Sequence, residues 1–289
     1  MRHPVPDPVA PVGSLVITNT RHAASMPARP TRLAAGRARA LGLPTRGTTA
    51  PNRLRRVDRW ITGTRAHLLR PAQDAPPLVV DLGFGSSPVT TVELASRLRS
   101  VAPDVRVVGL EINAERVTAA RAAADPPQLE FRRGGFELAG LRAVLVRAMN
   151  VLRQYEESAV AEAWQTMTAT GAVVIEGTCD EIGRRACWFE IADGAPVTLT
   201  LSAHLPSLSR PSDLAERLPK SLIARNVPGE PIHALLDDLD AAWAAAAPHS
   251  VFGARQRWIA AVTAISERWR VQGSVRRWRL GEVTVLWDR

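Results

Sequence analysis

The sequence predicts an α/β fold built on a doubly wound, mostly parallel sheet, and three observations support that prediction. From residue 78 onward, short apolar runs alternate with amphipathic runs of helical period. The first apolar run, 78–82, leads into a Gly-x-Gly turn at 83–85, and Pro88 then opens a helix. A second apolar run, 105–110, ends in a carboxylate, Glu111. Such alternation is typical of parallel strands with helices on both faces of the sheet.

The remaining elements follow from the periodicity of the apolar residues. Up to residue 176 the crossovers are long enough for right-handed βαβ connections. Beyond it the pattern changes to an antiparallel pair, several helices and a closing strand, with which the stretch 275–280 could pair. The predicted helices cover 88–101, 113–124, 156–169, 212–218, 231–247 and 253–269, and the predicted strands cover 78–82, 105–110, 129–132, 143–147, 172–176, 188–191, 197–201 and 283–287.

Composition limits the class of protein. A chain of 289 residues with 46% hydrophobic content suits one large domain with additions. No apolar run approaches the length of a membrane span, and the N-terminus lacks the pattern of a signal peptide, so we expect a cytoplasmic protein. The only cysteines, Cys179 and Cys187, have no second pair and indicate neither a zinc site nor a disulfide framework.

The positive charge is concentrated at the N-terminal end. Residues 1–70 hold 13 Arg and 2 Asp, whereas the remaining 219 residues hold 24 basic and 26 acidic ones. The composition divides the chain into a mobile Pro/Ala/Arg-rich tail over 1–46, a basic helical segment over 47–74 and a main domain over 75–289. Within the main domain, the helical stretch 205–270 could form a cap over a substrate.

The basic segment allows two interpretations. Leu54, Val57 and Trp60 recur at helical spacing, so the segment could be a helix that lies across the sheet or closes a ligand site. Alternatively, its arginines could contact the phosphates of a nucleic acid. We favour the first interpretation, with weak, salt-sensitive nucleic-acid binding as a secondary property. The arginines concerned are Arg53, Arg55, Arg56 and Arg59.

A nicotinamide dinucleotide site is the first alternative for the glycine turn, and two residues argue against it. The dinucleotide fingerprint requires a third small residue so that helix and strand can pack closely, and this chain has Pro88 there. An acid two positions before the first glycine, Asp81, is also no part of that fingerprint.

The run Val-Val-Asp-Leu-Gly-Phe-Gly at 79–85 resembles the first motif of class I S-adenosylmethionine-dependent methyltransferases. Gly-Leu-Glu at 109–111 resembles their second motif, and a looser resemblance extends over 75–180. The resemblance implies a Rossmann-like fold with an antiparallel C-terminal strand, helical C-terminal additions and S-adenosyl-L-methionine as cofactor.

The same resemblance implies roles for the matching residues. Asp81 would meet the amino-acid end of the cofactor, and Gly83 and Gly85 would pass beneath it. Glu111 would accept both ribose hydroxyls, which suits the two oxygens of a carboxylate.

At the third strand the chain departs from the family. Many members carry an acid for the adenine amino group where this chain has Gly135, although Phe136 could still stack on the adenine ring. The full set of predicted cofactor-binding residues is Asp81, Gly83, Phe84, Gly85, Glu111, Ile112, Gly135, Phe136 and Arg147.

Polar residues at the ends of the fourth and fifth strands are candidates for the methyl acceptor's side. Asn150 and Tyr155 resemble, over a short stretch, a run in chemotaxis-receptor methyltransferases, and Glu176 ends the predicted fifth strand. A carboxylate there could orient or deprotonate an acceptor. Methyl transfer to a good nucleophile needs mainly alignment, so the existence of a catalytic base stays open.

The predicted function is transfer of a methyl group from S-adenosyl-L-methionine to an unidentified acceptor, with a small molecule or metabolite favoured. Two alternatives remain. One is an RNA methyltransferase that uses the basic N-terminal segment. The other is a non-catalytic nucleotide-binding or RNA-binding module that retains the cofactor turn.

Overall fold

The computed structural model describes Met1, residues 49–71 and residues 75–287, so nearly all of the tail predicted over 1–46 lies outside the described residues. A nine-stranded sheet forms the centre of the described part. Its strands are β1 (Leu78–Leu82), β2 (Arg106–Glu111), β3 (Leu129–Arg133), β4 (Leu145–Met149), β5 (Val173–Cys179), β6 (Arg185–Ala192), β7 (Ala195–Ala203), β8 (Val271–Gln272) and β9 (Glu282–Leu286).

Helices connect and cover the strands, joined by short 3₁₀ turns. They are α1 (Arg55–Thr64), α2 (Val89–Arg99), α3 (Ala114–Ala120), α4 (Val160–Thr168), α5 (Lys220–Ile223), α6 (Pro231–Ala245), α7 (Ala254–Ile265) and α8 (Val275–Trp278). None of these described helices is long and apolar enough to cross a lipid bilayer.

The first half of the sheet is parallel. Its strands lie in the order β3-β2-β1-β4-β5, and each neighbouring pair runs in the same direction. This is the beginning of the doubly wound order of nucleotide-binding sheets, in which ligands bind beyond the carboxyl ends of the strands. The predicted alternation of strands and helices is confirmed for this half.

The second half of the sheet is antiparallel, in the order β6-β7-β9-β8. The strand beside β5 is β6, which follows it through a hairpin, so the C-terminal strand β9 lies farther out, against β7. The predicted pairing of 275–280 with the closing strand is wrong, because residues 275–278 form α8 and β8 is the other partner of β9. Gly273 (φ 84°) and Gly281 (φ 81°) reverse the backbone on either side of α8.

Most strands differ by a few residues from their predicted bounds, and the differences at β4 and β5 affect candidate site residues. β4 begins and ends two residues later than predicted, at Leu145 and Met149. β5 continues to Cys179, three residues beyond the predicted end, because β6 pairs with it as far as the Cys179–Ala186 pair. Cross-strand partners, which a single run of residues does not reveal, therefore determine where these strands end.

Each face of the sheet has its own apolar core. Helices α4, α6 and α7 pack on one face, and α1, α2 and α3 pack on the other. Helix α1 buries Val57, Trp60 and Ile61. The Trp60 ring meets Trp188 of β6 edge-on at 5.8 Å, and its indole N–H donates to Thr284 of β9 at 3.2 Å. The helix of the basic segment thus lies across the sheet and belongs to its core.

Replacing a buried residue of α1 should show that this helix is a structural part of the domain. Ile61 is 0% exposed, so Ile61→Ala should lower the free energy of unfolding by about 2–5 kcal/mol, as large-to-small core changes do. Arg55→Ala on the exposed side of the same helix is the control and should change it by less than about 0.5 kcal/mol. Equal, small effects in urea titrations would mean that α1 does not pack as described.

Candidate functional site

The glycine turn follows β1 at the carboxyl edge of the parallel strands. Gly83 (φ 71°) and Gly85 (φ 81°) both adopt left-handed backbone conformations that side chains with a Cβ disfavour. The Gly83 N–H donates to the carbonyl of Leu110 at 2.7 Å, which ties the turn to the end of β2. The sequence therefore needs glycine at both positions for the shape of the turn itself.

Glu111, the last residue of β2, joins the turn to the start of the next helix. Its Oε2 accepts from the N–H of Gly85 at 3.1 Å, and its Oε1 accepts from the N–H groups of Ile112 at 3.0 Å and Asn113 at 3.2 Å. The Arg116 guanidinium lies 3.6 Å from Oε2. The carboxylate is only 1% exposed, and Oε2 is the oxygen that faces the glycine turn.

A buried ionic network lies behind the turn, centred on Arg147 of β4. Its Nε and Nη2 donate to the two carboxylate oxygens of Asp81 at 2.9 and 2.7 Å. Its Nη1 donates to Asp58 of α1, and its Nη2 also donates to the carbonyl of Thr90 at 3.0 Å. The Thr91 hydroxyl completes the network by donating to Asp81 at 2.6 Å.

The prediction that Arg147 binds cofactor is wrong in this structure. Arg147 is 0% exposed because β4 continues two residues beyond it, and it stands beside its register partner Asp81. Burial alone would lower the pKa of Arg147, but Asp58 and Asp81 outweigh burial and raise that pKa above its ordinary value. Asp81 is 3% exposed, and its contact with a cofactor stays a prediction.

The side chain of Phe84 belongs to the core rather than to a ligand site. It is 4% exposed and meets the Phe131 ring edge-on at 5.3 Å. A Cβ on Gly109 would lie 2.7 Å from Phe131 and 3.2 Å from Phe84, so this glycine makes room for the pair. The Phe84 side chain therefore does not contact a cofactor, and only the backbone of this residue lies in the glycine turn.

Residues that follow β3 and β4 meet at the same edge of the sheet. Phe136 and Tyr155 are both half-buried, and their rings lie 5.2 Å apart at an angle of 56°. The N–H of Gly135 is bound by the Glu137 side chain at 2.8 Å. The structure thus brings together an aromatic residue predicted for adenine and one predicted for the acceptor.

Asn150 links the ends of β4 and β5. Its φ is 62°, a left-handed conformation that asparagine tolerates better than most residues. Its side-chain amide donates to the Cys179 sulfur at 3.2 Å and accepts from the Cys179 N–H at 3.0 Å. Burial raises the pKa of the Cys179 thiol. The end of β5 is also bound by Arg53, which donates to the carbonyl of Asp180 at 2.9 Å.

Glu176 lies inside the core and not at a strand tip, contrary to its prediction as a catalytic residue. It is 1% exposed in the middle of β5, opposite Phe189 of β6 and near the indole of Trp164. Among the described residues, neither carboxylate oxygen has a hydrogen-bond partner of ordinary geometry, although the Trp164 indole lies near enough to favour the charged form slightly. Burial raises the pKa of Glu176 to about 8, and the Trp164 indole offsets this only in part.

Most arginines of the basic segment bind groups of the fold itself. Arg56 is buried, and Arg53 and Arg59 are half-buried, whereas Arg55 is exposed. Arg53 donates to the carbonyl of Asp180, Arg56 donates to the carbonyls of Gly183 and Leu280, and Arg59 donates to the Glu282 carboxylate.

The sequence did not predict three residues that contact the candidate residues. They are Asp58, which binds Arg147, Thr91, which binds Asp81, and Cys179, which binds Asn150. Asp58 did leave a signal, because it occupies an apolar-face position of α1 together with Leu54 and Ile61. An acid on the buried face of a helix needs a cationic partner in the core. The spacing of the sequence does not reveal which arginine provides it.

Comparison with known proteins gives partial matches of fold only. No protein-family model matches the chain, and no curated protein sequence does. Magnesium protoporphyrin IX methyltransferase from Synechocystis, solved with bound SAH, is 19% identical, and the match covers 44% of this chain and 55% of that one, with a TM-score of 0.34. Human N-acetylserotonin methyltransferase, solved with SAM, is 26% identical, and the match covers 43% of this chain and 36% of that one, with a TM-score of 0.29.

A probable spermidine synthase from Corynebacterium glutamicum is similar to the same extent, at 16% identity over 42% of this chain and 47% of that one, with a TM-score of 0.31. The matches span about half or less of the length of these proteins. With TM-scores near 0.3, none of these likenesses bears on the activity of the chain, and its fold rests on its own strand order.

The buried carboxyl of Glu176 should make stability depend on pH. Between its ordinary pKa of 4.5 and about 8, the folded protein keeps a proton that the unfolded chain has released. The free energy of unfolding should therefore fall as pH rises through this window, by at most about 1.4 kcal/mol per pH unit from this group. Glu176→Gln removes that contribution, so the variant should lose less stability than the wild type in urea titrations from about pH 5 to about pH 8.

Glu130→Gln is the control for this experiment. Hydrogen bonding by Arg132 lowers the pKa of Glu130, so its removal should not reduce the loss of stability at high pH. Parallel pH curves for the wild type and Glu176→Gln would show that Glu176 is ionised in the folded protein.

Proposed function

We propose that the protein is an S-adenosyl-L-methionine-dependent methyltransferase with a small-molecule acceptor. The observation that supports this most is the junction of the glycine turn with Glu111, made by the Gly85 N–H at 3.1 Å. It lies at the carboxyl edge of a doubly wound sheet, where that fold binds its ligands. An acid at this second strand end is also how such folds bind the hydroxyls of a ribose.

The residues of this edge fit such a cofactor. Gly83 and Gly85 have no Cβ, so a ligand can approach the backbone closely at these two positions of the turn. Glu111 would accept from the ribose through Oε2, the oxygen beside the turn. Half-buried Phe136 offers a ring to the adenine. When bound, the cofactor supplies an activated methyl group.

The acceptor would lie beside Asn150 and Tyr155. Asn150 is held by Cys179 and Tyr155 by the ring of Phe136, so both side chains are positioned before any ligand enters. Fixed groups of this kind align a nucleophile, which is the main requirement for methyl transfer. Glu176 is excluded as the acceptor's base because it lies in the core, away from this edge.

A small molecule is favoured over RNA by the use of the arginines. In the described part of the basic segment, Arg53, Arg56 and Arg59 donate to carbonyl or carboxylate groups of the fold. Phosphate binding would require these donors to leave partners that α1 needs for packing. Arg55 and Arg70, the exposed arginines of the described part of this segment, offer little attraction for a nucleic acid by themselves.

Cofactor binding should depend on Glu111. SAH should bind the wild type and raise its melting temperature, whereas NAD should do neither. Glu111→Ala should weaken SAH binding by about 1–3 kcal/mol, the range for hydrogen bonds to a charged group. Isothermal titration calorimetry measures both affinities.

Glu130→Ala is the matched control, because this carboxylate lies on the neighbouring strand β3 and pairs with Arg132 and Arg106. It should leave the SAH affinity unchanged. Equal affinities for the wild type and Glu111→Ala would refute the assignment of Glu111 to the ribose, and no SAH binding by the wild type would refute the proposed cofactor.

The acceptor class can be found with a labelled methyl group. Incubation with labelled S-adenosyl-L-methionine and separated cell fractions should label the small-molecule fraction.

Tyr155→Phe keeps the ring against Phe136 but removes the hydroxyl, so it should lower turnover of the identified acceptor more than SAH affinity. Label in the RNA fraction would favour the RNA methyltransferase, and no label in any fraction would favour a non-catalytic module.

A further inference from the structure

The only acid on α1, Asp58, is completely buried. Asp58 is 0% exposed and lies between two guanidinium groups. Nη1 of Arg97 donates to it at 2.5 Å, and Nη1 of Arg147 donates to its other oxygen. Such a buried carboxylate is stable only with close cationic partners, so α1 docks with this contact in place.

The contact with Asp58 determines how Arg147 is oriented. A guanidinium is planar and rigid, so binding one of its nitrogens fixes the direction of the other two. With Nη1 held by Asp58, the edge formed by Nε and Nη2 faces Asp81 and makes the paired bonds at 2.9 and 2.7 Å. Without the charge of Asp58, Nη1 would be left buried beside a neutral group.

Arg147 in turn holds both ends of the loop that contains the glycine turn. Asp81 lies two residues before Gly83, near the end of β1, where the loop begins. At its other end, the carbonyl of Thr90 accepts from Arg147 at 3.0 Å and the Thr91 hydroxyl donates to Asp81 at 2.6 Å. One guanidinium therefore determines the span between the end of β1 and the first turn of α2.

We propose that Asp58 is a positioning residue for the cofactor: through Arg147 and Asp81 it holds the loop 83–88 in the conformation that binds the ligand. This inference rests on the proposed function, because it assigns the loop to cofactor binding. It makes α1, an element outside the doubly wound half of the sheet, a necessary part of that site.

Glu282 of β9 provides a matched control. It is 2% exposed and, like Asp58, lies between two guanidinium groups, at 3.3 Å from Arg59 of α1 and 2.5 Å from Arg277. It ties the same helix to the sheet but has no contact with Arg147 or the loop among the described hydrogen bonds and ion pairs. Glu282→Gln therefore weakens the docking of α1 without touching the proposed path.

The test compares Asp58→Asn with Glu282→Gln by two measurements, amide hydrogen exchange of peptides covering 82–91 and the affinity for SAH. Asp58→Asn should speed exchange over 83–87 and weaken SAH binding roughly tenfold or more, because small misplacements of a binding group have large effects. Glu282→Gln should lower the melting temperature but change neither measurement. Equal effects of the two variants, or unchanged exchange in Asp58→Asn, would overturn the proposal.

A second variant and the wild-type binding result separate failure of this proposal from failure of the proposed function. If Asp58→Asn does not fold, Thr91→Val removes only the hydroxyl bond to Asp81 and should shift exchange and affinity in the same direction; no shift would overturn the proposal. If the wild type does not bind SAH, the proposed function fails, while the exchange comparison still decides whether Asp58 positions the loop.

Discussion

The fold depends on a guanidinium that is completely buried between two carboxylates. Removing such charges from water is unfavourable by several kcal/mol per ion, and close, paired geometry must offset it. Arg147 meets this condition only when α1, β1 and β4 are all in place, because Asp58 and Asp81 come from the first two elements and Arg147 from the third. The contacts of Arg147 therefore join α1 and the parallel sheet into one structural unit.

The same constraint explains the other buried carboxylates. Glu282 is bound by Arg59 and Arg277, and Glu190 by Arg65. Glu176 has no cationic partner among the described residues, and burial raises its pKa to about 8, which favours the protonated form near neutral pH. Many arginines that as a sequence feature suggest nucleic-acid binding thus serve as internal counter-ions.

The remaining candidate functional residues share one edge of the parallel half. The glycine turn follows β1 and Glu111 ends β2, while Phe136 follows β3. Asn150 and Tyr155 follow β4. The antiparallel half supports this edge from the side, since β6 and β9 bind the Trp60 face of α1. The parallel half thus carries the candidate site, and the antiparallel half provides packing partners for α1.

The sequence alone determined the parallel strands, the glycine turn and the position of Glu111, because these depend on local periodicity and on backbone conformations that only certain residues adopt. It also placed Leu54, Val57 and Trp60 on one face of a helix. Only the tertiary structure decided that Arg147 and Glu176 are buried, because both strands extend beyond their predicted ends through pairing with neighbours. It also decided that Asp58 pairs with Arg147 across 89 residues, since a buried charge selects its partner by proximity in the fold and not by spacing in the chain.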